Sequence, residues 1–243
     1  MEAKISKLRE MTNVAIFAAL VFVATLVIRI TIPATGGYFN VGDSMIYVAA
    51  LLYGPLVGGL AGGIGASLVD VLGYAIFAPG TFIIKLVEGA IAGYVGYKIR
   101  PKGRTMIFWK AISLFFGVVL GATTYYVGVN YIGIFGNAFL DQSFWAVIAL
   151  FLGIFIFSMS LKAETQVNWQ TIAIILAGAE MVIGYFLYES LLALLLPGLN
   201  IYAIGEIPVN IGQMLMGMAI ALPTVEAVQR AFSYERSIPR QDT

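Results

Sequence analysis

The chain has 243 residues and contains no cysteine and no histidine. These absences exclude disulfides, thiol catalysis, histidine-ligated metals and Ser–His–Asp triads. Charged residues are also scarce, at 11% of the chain, whereas a soluble domain carries about 25%. Hydrophobic residues make up 60%. The composition therefore predicts an integral membrane protein. The net charge of +1 gives no reason to expect nucleic acid as a partner, and we expect no metal and no cofactor.

Eight apolar runs follow one another along the chain. About 20 residues cross the hydrocarbon of a bilayer, and the run over 44–76 is too long for one helix. Gly54 and Pro55 divide it, because proline lacks an N–H and disfavours helix in the preceding residue. The predicted fold is an all-α integral membrane protein, a compact bundle of about eight transmembrane helices in a single membrane domain, 1–243. The predicted spans are about 11–32, 44–54, 56–76, 80–98, 106–128, 143–161, 170–196 and 207–228.

The basic residues predict the orientation in the membrane. All of them except Arg29 and Lys85 fall on one face of an eight-span topology: before the first span, between 98 and 110, at Lys162 and in the C-terminal tail. Cytoplasmic segments carry the excess of Lys and Arg. We therefore predict a multi-pass protein of the cell membrane with both termini in the cytoplasm, and outer loops at about 33–43, 74–80, 129–142 and 197–206.

Polar residues inside the predicted spans are candidates for function. An ionisable group at membrane depth costs a few kcal/mol, so it marks a functional site by default. Counted at 1.5 Å per residue, several such groups lie at one depth in the outer third. They form pairs at i,i+3 or i,i+4, so each pair shares a helix face. The pairs are Lys85 with Glu88, Tyr185 with Glu189, and Asn210 with Gln213.

Structural interpretations of the same residues stay open at this point. Lys85 can form an ion pair with Glu88 or with Asp70 that only holds helices together. Asn210 and Gln213 can hydrogen-bond between helices, as buried amides do in lipid. A pocket and a structural network are therefore both compatible with the pattern.

The first outer loop, 33–43, is rich in turn-forming residues and carries Tyr38 and Phe39. It can fold over a pocket as a lid, with Asn40 on the lid and the two aromatic rings stacked on a flat ligand. Asp43 immediately before Ser44 suits a helix N-cap for the second span.

No catalytic group is predicted, and we expect the chain not to be an enzyme. Asp43 and Asp70 match the paired aspartates of intramembrane proteases poorly, because Asn40 stands at the first glycine of a G-x-G-D motif. No Gly-x-x-x-x-Gly-Lys-Ser/Thr loop is present, so any energy from nucleotide must come from a partner. Two alternatives remain: a membrane-embedded enzyme acting on lipid or peptide, and a self-contained secondary transporter or channel.

Four segments together resemble the substrate-binding S components of energy-coupling factor (ECF) transporters, in particular the riboflavin-transporter-type group. The resemblance covers about 10–100 and 170–230. Its segments are Gly37-Tyr38-Phe39-Asn40-Val41-Gly42-Asp43, Tyr53-Gly54-Pro55 through to Asp70, Ala78-Pro79-Gly80 through to Gly89, and a pair made of Gly184-Tyr185-Phe186-Leu187-Tyr188-Glu189 and Ile207-Pro208-Val209-Asn210-Ile211-Gly212-Gln213.

The resemblance implies a high-affinity subunit that captures a vitamin-like small molecule from outside. Such a subunit works in the lipid bilayer with a T component and two ATPase subunits. It also implies a substrate site that opens outward beneath the first loop. The predicted substrate-binding residues are Tyr38, Asn40, Lys85, Glu88, Tyr185, Glu189, Asn210 and Gln213. Riboflavin is the first candidate, while pyridoxine, hydroxymethylpyrimidine, thiamine-related compounds and queuosine precursors stay open.

Two features qualify the resemblance. The family usually has six spans, so about 105–165 is predicted to be a helical hairpin inserted into a six-helix core. Ala15 and Ala19 resemble part of the family's A-x-x-x-A stripe for coupling to the partner, with Val23 in place of the next alanine.

Overall fold

Eight α-helices and one β-hairpin make up the part of the chain that the structure describes. This computed structural model describes residues 2–32, 37–99, 104–131, 137–161, 166–199 and 201–237. A π-helical turn, Tyr94–Lys98, extends the fourth helix. The predicted all-α membrane fold is confirmed. The helices are α1 (Glu2–Val27), α2 (Asp43–Tyr53), α3 (Pro55–Gly73), α4 (Ala78–Gly93), α5 (Arg104–Tyr131), α6 (Ala138–Leu161), α7 (Gln166–Leu195) and α8 (Ala203–Ser237).

The helices differ in their capacity to cross a bilayer. Five stretches of the described chain are long and apolar enough to do so, in α1, α3, α4 with its π-helical turn, α7 and α8. Helix α2 has 11 residues and is therefore only about 16 Å long. Helices α5 and α6 pack mainly against each other, and α5 also contacts α7 and α8. Their assignment as an insertion into a six-helix core stays a prediction.

The predicted C-terminal end of the first span was wrong. The apolar run predicted a helix as far as residue 32, but α1 ends at Val27. Strand β1 (Arg29–Ile32) then pairs antiparallel with strand β2 (Gly37–Asn40). Ile30, Thr31 and Ile32 are β-branched, which favours a strand over a helix. We call the end of the bundle that carries this hairpin the hairpin end. Residues 33–36, predicted as part of the lid, lie outside the described residues.

The division of α2 from α3 at Gly54 and Pro55 is confirmed. Gly54 has φ of 91°, a conformation that costs glycine little, and its N–H donates to the carbonyl of Ala50 at 2.9 Å. Pro55 begins α3, where a missing N–H leaves no hydrogen bond unmade. The chain therefore reverses direction without a loop.

Helices α3 and α4 approach each other backbone to backbone. A Cβ atom on Gly89 would overlap the backbone of Gly58, and one on Gly93 would overlap Gly54 and Pro55. Glycine at these positions permits a separation that larger residues would prevent. The main hydrophobic core then lies where α2 and α4 meet α7 and α8. Together these contacts fix the height and rotation of α4, which carries several of the polar residues described next.

Candidate functional site

A cavity of about 40 Å³ lies beneath the β-hairpin. Its walls come from β2, from the ends of α3, α4, α7 and α8 at the hairpin end, and from the turn between α3 and α4. Six of the eight predicted substrate-binding residues line it: Tyr38, Asn40, Tyr185, Glu189, Asn210 and Gln213. The other residues of its wall are Gly37, Asp70, Tyr74, Phe77, Thr81 and Glu206.

Amide groups hold the hairpin onto α8. The side-chain oxygen of Gln213 accepts hydrogen bonds from the backbone N–H of Asn40 at 2.8 Å and from Asn40 Nδ2 at 2.5 Å. Gln213 Nε2 in turn donates to Asn210 Oδ1 at 2.9 Å. All three side chains are buried. Part of their hydrogen-bonding capacity therefore positions the lid, as the structural interpretation of the amides predicted, while the same residues line the cavity.

Tyr38 holds the hairpin onto α3. Its hydroxyl donates to Asp70 Oδ1 at 2.6 Å, and its ring lies 4.9 Å from the ring of Tyr74. The Arg29 guanidinium lies 5.7 Å from the Tyr38 centroid and 5.4 Å from the Tyr74 centroid. Burial, followed by the negative charge of Asp70, raises the pKa of Tyr38 far above its ordinary value of 10.0. Tyr38 is therefore a neutral hydrogen-bond donor at every physiological pH.

Phe39 does not share the position predicted for it beside Tyr38. Side chains alternate between the two faces of a strand, so Tyr38 and its neighbour cannot face the same way. Tyr38 and Asn40 line the cavity, whereas Phe39 is absent from its wall and lies near Gly212 of α8. The prediction that both aromatic rings stack on a ligand was wrong.

Lys85 and Glu88 form a buried network outside the cavity wall. Lys85 Nζ lies 2.5 Å from Asp43 Oδ1 and 2.9 Å from Glu88 Oε2. The hydroxyl of Tyr47 donates to Glu88 Oε1 at 2.6 Å. The predicted convergence of Lys85 and Glu88 on the cavity was wrong, because rotation of α4 aims both side chains at α2. The predicted structural pair of Lys85 with Glu88 is confirmed, whereas Asp70 bonds Tyr38 instead.

Asp43 does not cap α2. The N-cap residue is Gly42, which has no side chain to cap the helix, and Asp43 occupies the first helical position. Its carboxylate instead bonds Lys85, seven residues into α4. Helix α2 thus begins inside the bundle, about 10 Å below the start of α4. Leaving a buried ammonium without a partner costs more free energy than leaving a helix N-terminus without a side-chain cap.

Glu189 differs from the other acids of the cavity. It is 6% exposed, and its Oε2 accepts no hydrogen bond from any residue that the structure describes. The charge of Glu206 on α8 acts on it from nearby. The Glu206 carboxylate also lies against Gly37, where a Cβ atom would overlap it. Two carboxylates thus face the same side of the cavity.

Five wall residues besides the predicted ones were missed: Tyr74, Phe77, Thr81, Glu206 and Gly37. Most of them lie in or next to the connections at the hairpin end, which the sequence predicts only as loops. The aromatic residues Tyr74 and Phe77 beside the buried Asp70 were the signal that could have found them. Asp70 was recognised as an acid within a span but was not assigned to the site.

Comparison with known proteins identifies the class. Residues 5–150 match the family model described as the S component of ECF-type riboflavin transporters. A relative from Pyrococcus woesei, an uncharacterized protein, is 44% identical over 115 residues, which cover 46% of this chain and 72% of the relative. No solved structure matches.

The chain therefore belongs to the S components of ECF-type riboflavin transporters. It is the substrate-capture subunit of a vitamin-uptake system, which the family drives with ATPases on other subunits. The predicted resemblance is confirmed. The match runs through α1–α4 and into the α5–α6 hairpin, so it does not reach the C-terminal segments on which part of the resemblance was based.

The amide network generates a prediction about the hairpin. Gln213→Leu removes the acceptor of the Asn40 N–H at nearly constant side-chain volume. A buried donor without a partner costs about 1–3 kcal/mol, so we expect this amide to exchange its hydrogen about 5- to 150-fold faster. Hydrogen–deuterium exchange of the ligand-free protein measures it.

Thr224→Val on the same helix is the control, since Thr224 donates to the carbonyl of Ile220 within α8. Exchange at residues 37–42 should not change in that variant. An unchanged rate at Asn40 in Gln213→Leu would show that the hairpin is not held by this bond.

Proposed function

We propose that the cavity beneath the hairpin captures a flat heteroaromatic micronutrient, with riboflavin as the first candidate because the family description names it. The observation that carries the proposal is the composition of the wall: four aromatic rings stand among amides, hydroxyls and carboxylates from five separate elements. Ligand sites combine apolar walls with a few polar groups in this way. The substrate-binding residues are Tyr38, Asn40, Tyr185, Glu189, Asn210 and Gln213.

Lys85 and Glu88 support the floor of the site. Lys85 Nζ lies 5.6 Å from the centroid of the Tyr185 ring, and Tyr185 OH donates to Thr81 Oγ1 at 3.3 Å. The ammonium therefore fixes a ring that faces the ligand, although it does not line the cavity itself. We therefore assign Lys85 and Glu88 to the positioning of Tyr185 and not to direct contact with the substrate.

The hairpin end faces the outside in this proposal, and both termini face the cytoplasm. The distribution of Lys and Arg supports it, because the basic segments at the N-terminus, around 98–110 and at the C-terminus lie at the opposite end of the predicted topology. A cavity at the hairpin end then receives substrate directly from the outer side.

A second surface is proposed to dock the T component, through which two ATPase subunits drive release. Helices α1 and α3 form an apolar groove that contains Ala15 and Ala19, the predicted coupling residues. Their small side chains leave room for a partner helix to approach closely. The groove is lined by Lys7, Glu10, Met11, Val14, Ala15, Ala18, Ala19 and Phe22 of α1 and by Leu56, Leu60, Ile64 and Leu68 of α3, so its walls are apolar except for the charged pair near the N-terminus.

The chain itself performs no catalysis in this proposal. Membership of a family of transporter binding components supports this. Substrate turnover by the purified chain alone would contradict it and would favour the membrane-enzyme alternative.

Asn210→Ala tests the capture site. The substitution removes an amide from the cavity wall, so we expect substrate affinity to fall about tenfold, the consequence of losing roughly 1.4 kcal/mol. Equilibrium binding of riboflavin to the protein in nanodiscs measures the effect. Asn130→Ala on α5 is the matched control, because Asn130 is exposed, lies outside the cavity wall and donates to the carbonyl of Tyr126 on its own helix. Wild-type affinity in a folded Asn210→Ala protein would place the site elsewhere.

Ala15→Trp tests the docking surface. The bulky ring fills the groove, and overpacking by about 1–3 kcal/mol should reduce uptake about 5- to 150-fold in vesicles that contain the full transporter. Substrate binding to the isolated chain should stay at the wild-type level. Ile16→Trp is the control, since Ile16 is exposed and lies outside the groove. Equal uptake by both variants would refute docking at this groove.

A further inference from the structure

The charges that line the cavity have one sign. Three carboxylates belong to its wall, those of Asp70, Glu189 and Glu206, and no Lys or Arg does so among the described residues. Two nearby cations already have partners, although both also lie near aromatic rings of the wall. Arg29 lies over the rings of Tyr38 and Tyr74, and Lys85 is bonded to Asp43 in the network outside the wall. A ligand therefore enters surroundings that contain three acids, no basic side chain among the described wall residues, and many hydrogen-bond acceptors.

Asp70 and Glu189 are not equivalent within this wall. Asp70 accepts the hydrogen bond of Tyr38 and also interacts with the charge of Arg29. Glu189 is more than nine-tenths buried, and its Oε2 has no hydrogen-bond partner within the described part of the chain. Its burial and the like charge of Glu206 both make a negative charge on Glu189 costly, and a cationic or hydrogen-donating ligand would offset this cost. A buried acceptor without a donor is costly, so the missing donor is a property that the ligand can supply.

The aromatic part of the wall complements this acid. The rings of Tyr38, Tyr74, Phe77 and Tyr185 line the same cavity. The faces of aromatic rings attract cations as well as stacking on flat rings, and aromatic cages with an acid bind ammonium groups in this way. Neutral rings gain only the stacking, and anionic ligands meet three carboxylates. The chemistry of the wall thus distinguishes ligands by charge.

We infer that the substrate of this site is a flat nitrogen heterocycle that carries a positive charge or amino N–H donors on the edge facing Glu189. This inference deepens the proposed function and rests on it. Among the candidates it favours a cationic or amino-bearing ring over riboflavin, which the family description names, and over any phosphorylated form, and it makes Glu189 the residue that determines specificity.

Binding of three probes to the purified full chain in nanodiscs tests the inference. The probes are thiamine, which is a permanent cation with an amino-substituted ring, riboflavin, which is neutral, and riboflavin 5′-phosphate, which is anionic. Thiamine should bind most tightly and the phosphate least. Glu189→Gln should weaken thiamine binding about 10- to 150-fold, as expected for a charge-assisted contact, and weaken riboflavin binding by a smaller factor.

Glu180→Gln is the matched control. Glu180 lies on the same helix, has a carboxylate oxygen without a partner and is absent from the cavity wall. The same loss of charge there should leave all three affinities unchanged. An equal loss of thiamine binding in both variants would contradict a specific role for Glu189.

The outcomes separate the inference from the proposed function. If riboflavin binds more tightly than thiamine, or if Glu189→Gln leaves thiamine affinity unchanged, the inference is wrong. The capture site then still stands if Asn210→Ala weakens riboflavin. If none of the three probes binds to the folded wild-type chain, the proposed function itself is contradicted.

Discussion

A buried ammonium group determines much of this structure. Lys85 lies within the bundle, and an unpaired charge there would cost several kcal/mol. Asp43 and Glu88 provide its partners, and Met181 of α7 lies 3.0 Å from the same nitrogen. Because Asp43 is the first residue of α2, this pairing fixes the depth at which α2 begins. Strand β2 ends only a few residues earlier, so the ammonium also determines where the hairpin enters the bundle.

The hairpin is then held from two sides. Tyr38 bonds Asp70 of α3, and Asn40 bonds Gln213 of α8. On the far side of the cavity, the Tyr188 hydroxyl of α7 bonds the carbonyl of Ile76, in the connection between α3 and α4 that carries the wall residues Tyr74 and Phe77. A displacement of α7 or α8 relative to α3 would therefore alter the cavity. This linkage gives a physical route by which an occupied site can influence the rest of the bundle.

The amino-acid sequence predicted the helices better than it predicted the site. Apolar length, together with the break at Gly54 and Pro55, is sufficient to define eight helices, because a bilayer permits few alternatives for the backbone. The depth of each residue along its helix could also be predicted from the sequence. It correctly grouped Tyr185, Glu189, Asn210 and Gln213. The rotation of each helix about its axis could not be predicted from the sequence, because it depends on which neighbouring helix each face contacts. This is why Lys85 and Glu88 were assigned to the cavity although they face α2.

Connections between helices account for the remaining errors. The hairpin was missed because Arg29 to Ile32 continue an apolar run, and nothing in that run marks the change from helix to strand except its β-branched residues. Phe39 was misassigned for the same reason, since the alternation of a strand was not expected. Glu206 entered the sequence analysis only as a negative charge in an outer loop, although α8 begins at Ala203 and carries it into the wall.

The central claim is that the cavity at the hairpin end opens outward and holds the substrate. The chain has no cysteine, so Tyr74→Cys introduces a single thiol into the cavity wall, and Ala75→Cys introduces one on the exposed surface beside it. In intact cells, a membrane-impermeant maleimide should label both positions from outside. The probe that binds most tightly should slow labelling at position 74 and leave position 75 unchanged. Labelling that requires permeabilised cells, or that a bound probe does not slow at position 74, would contradict the account.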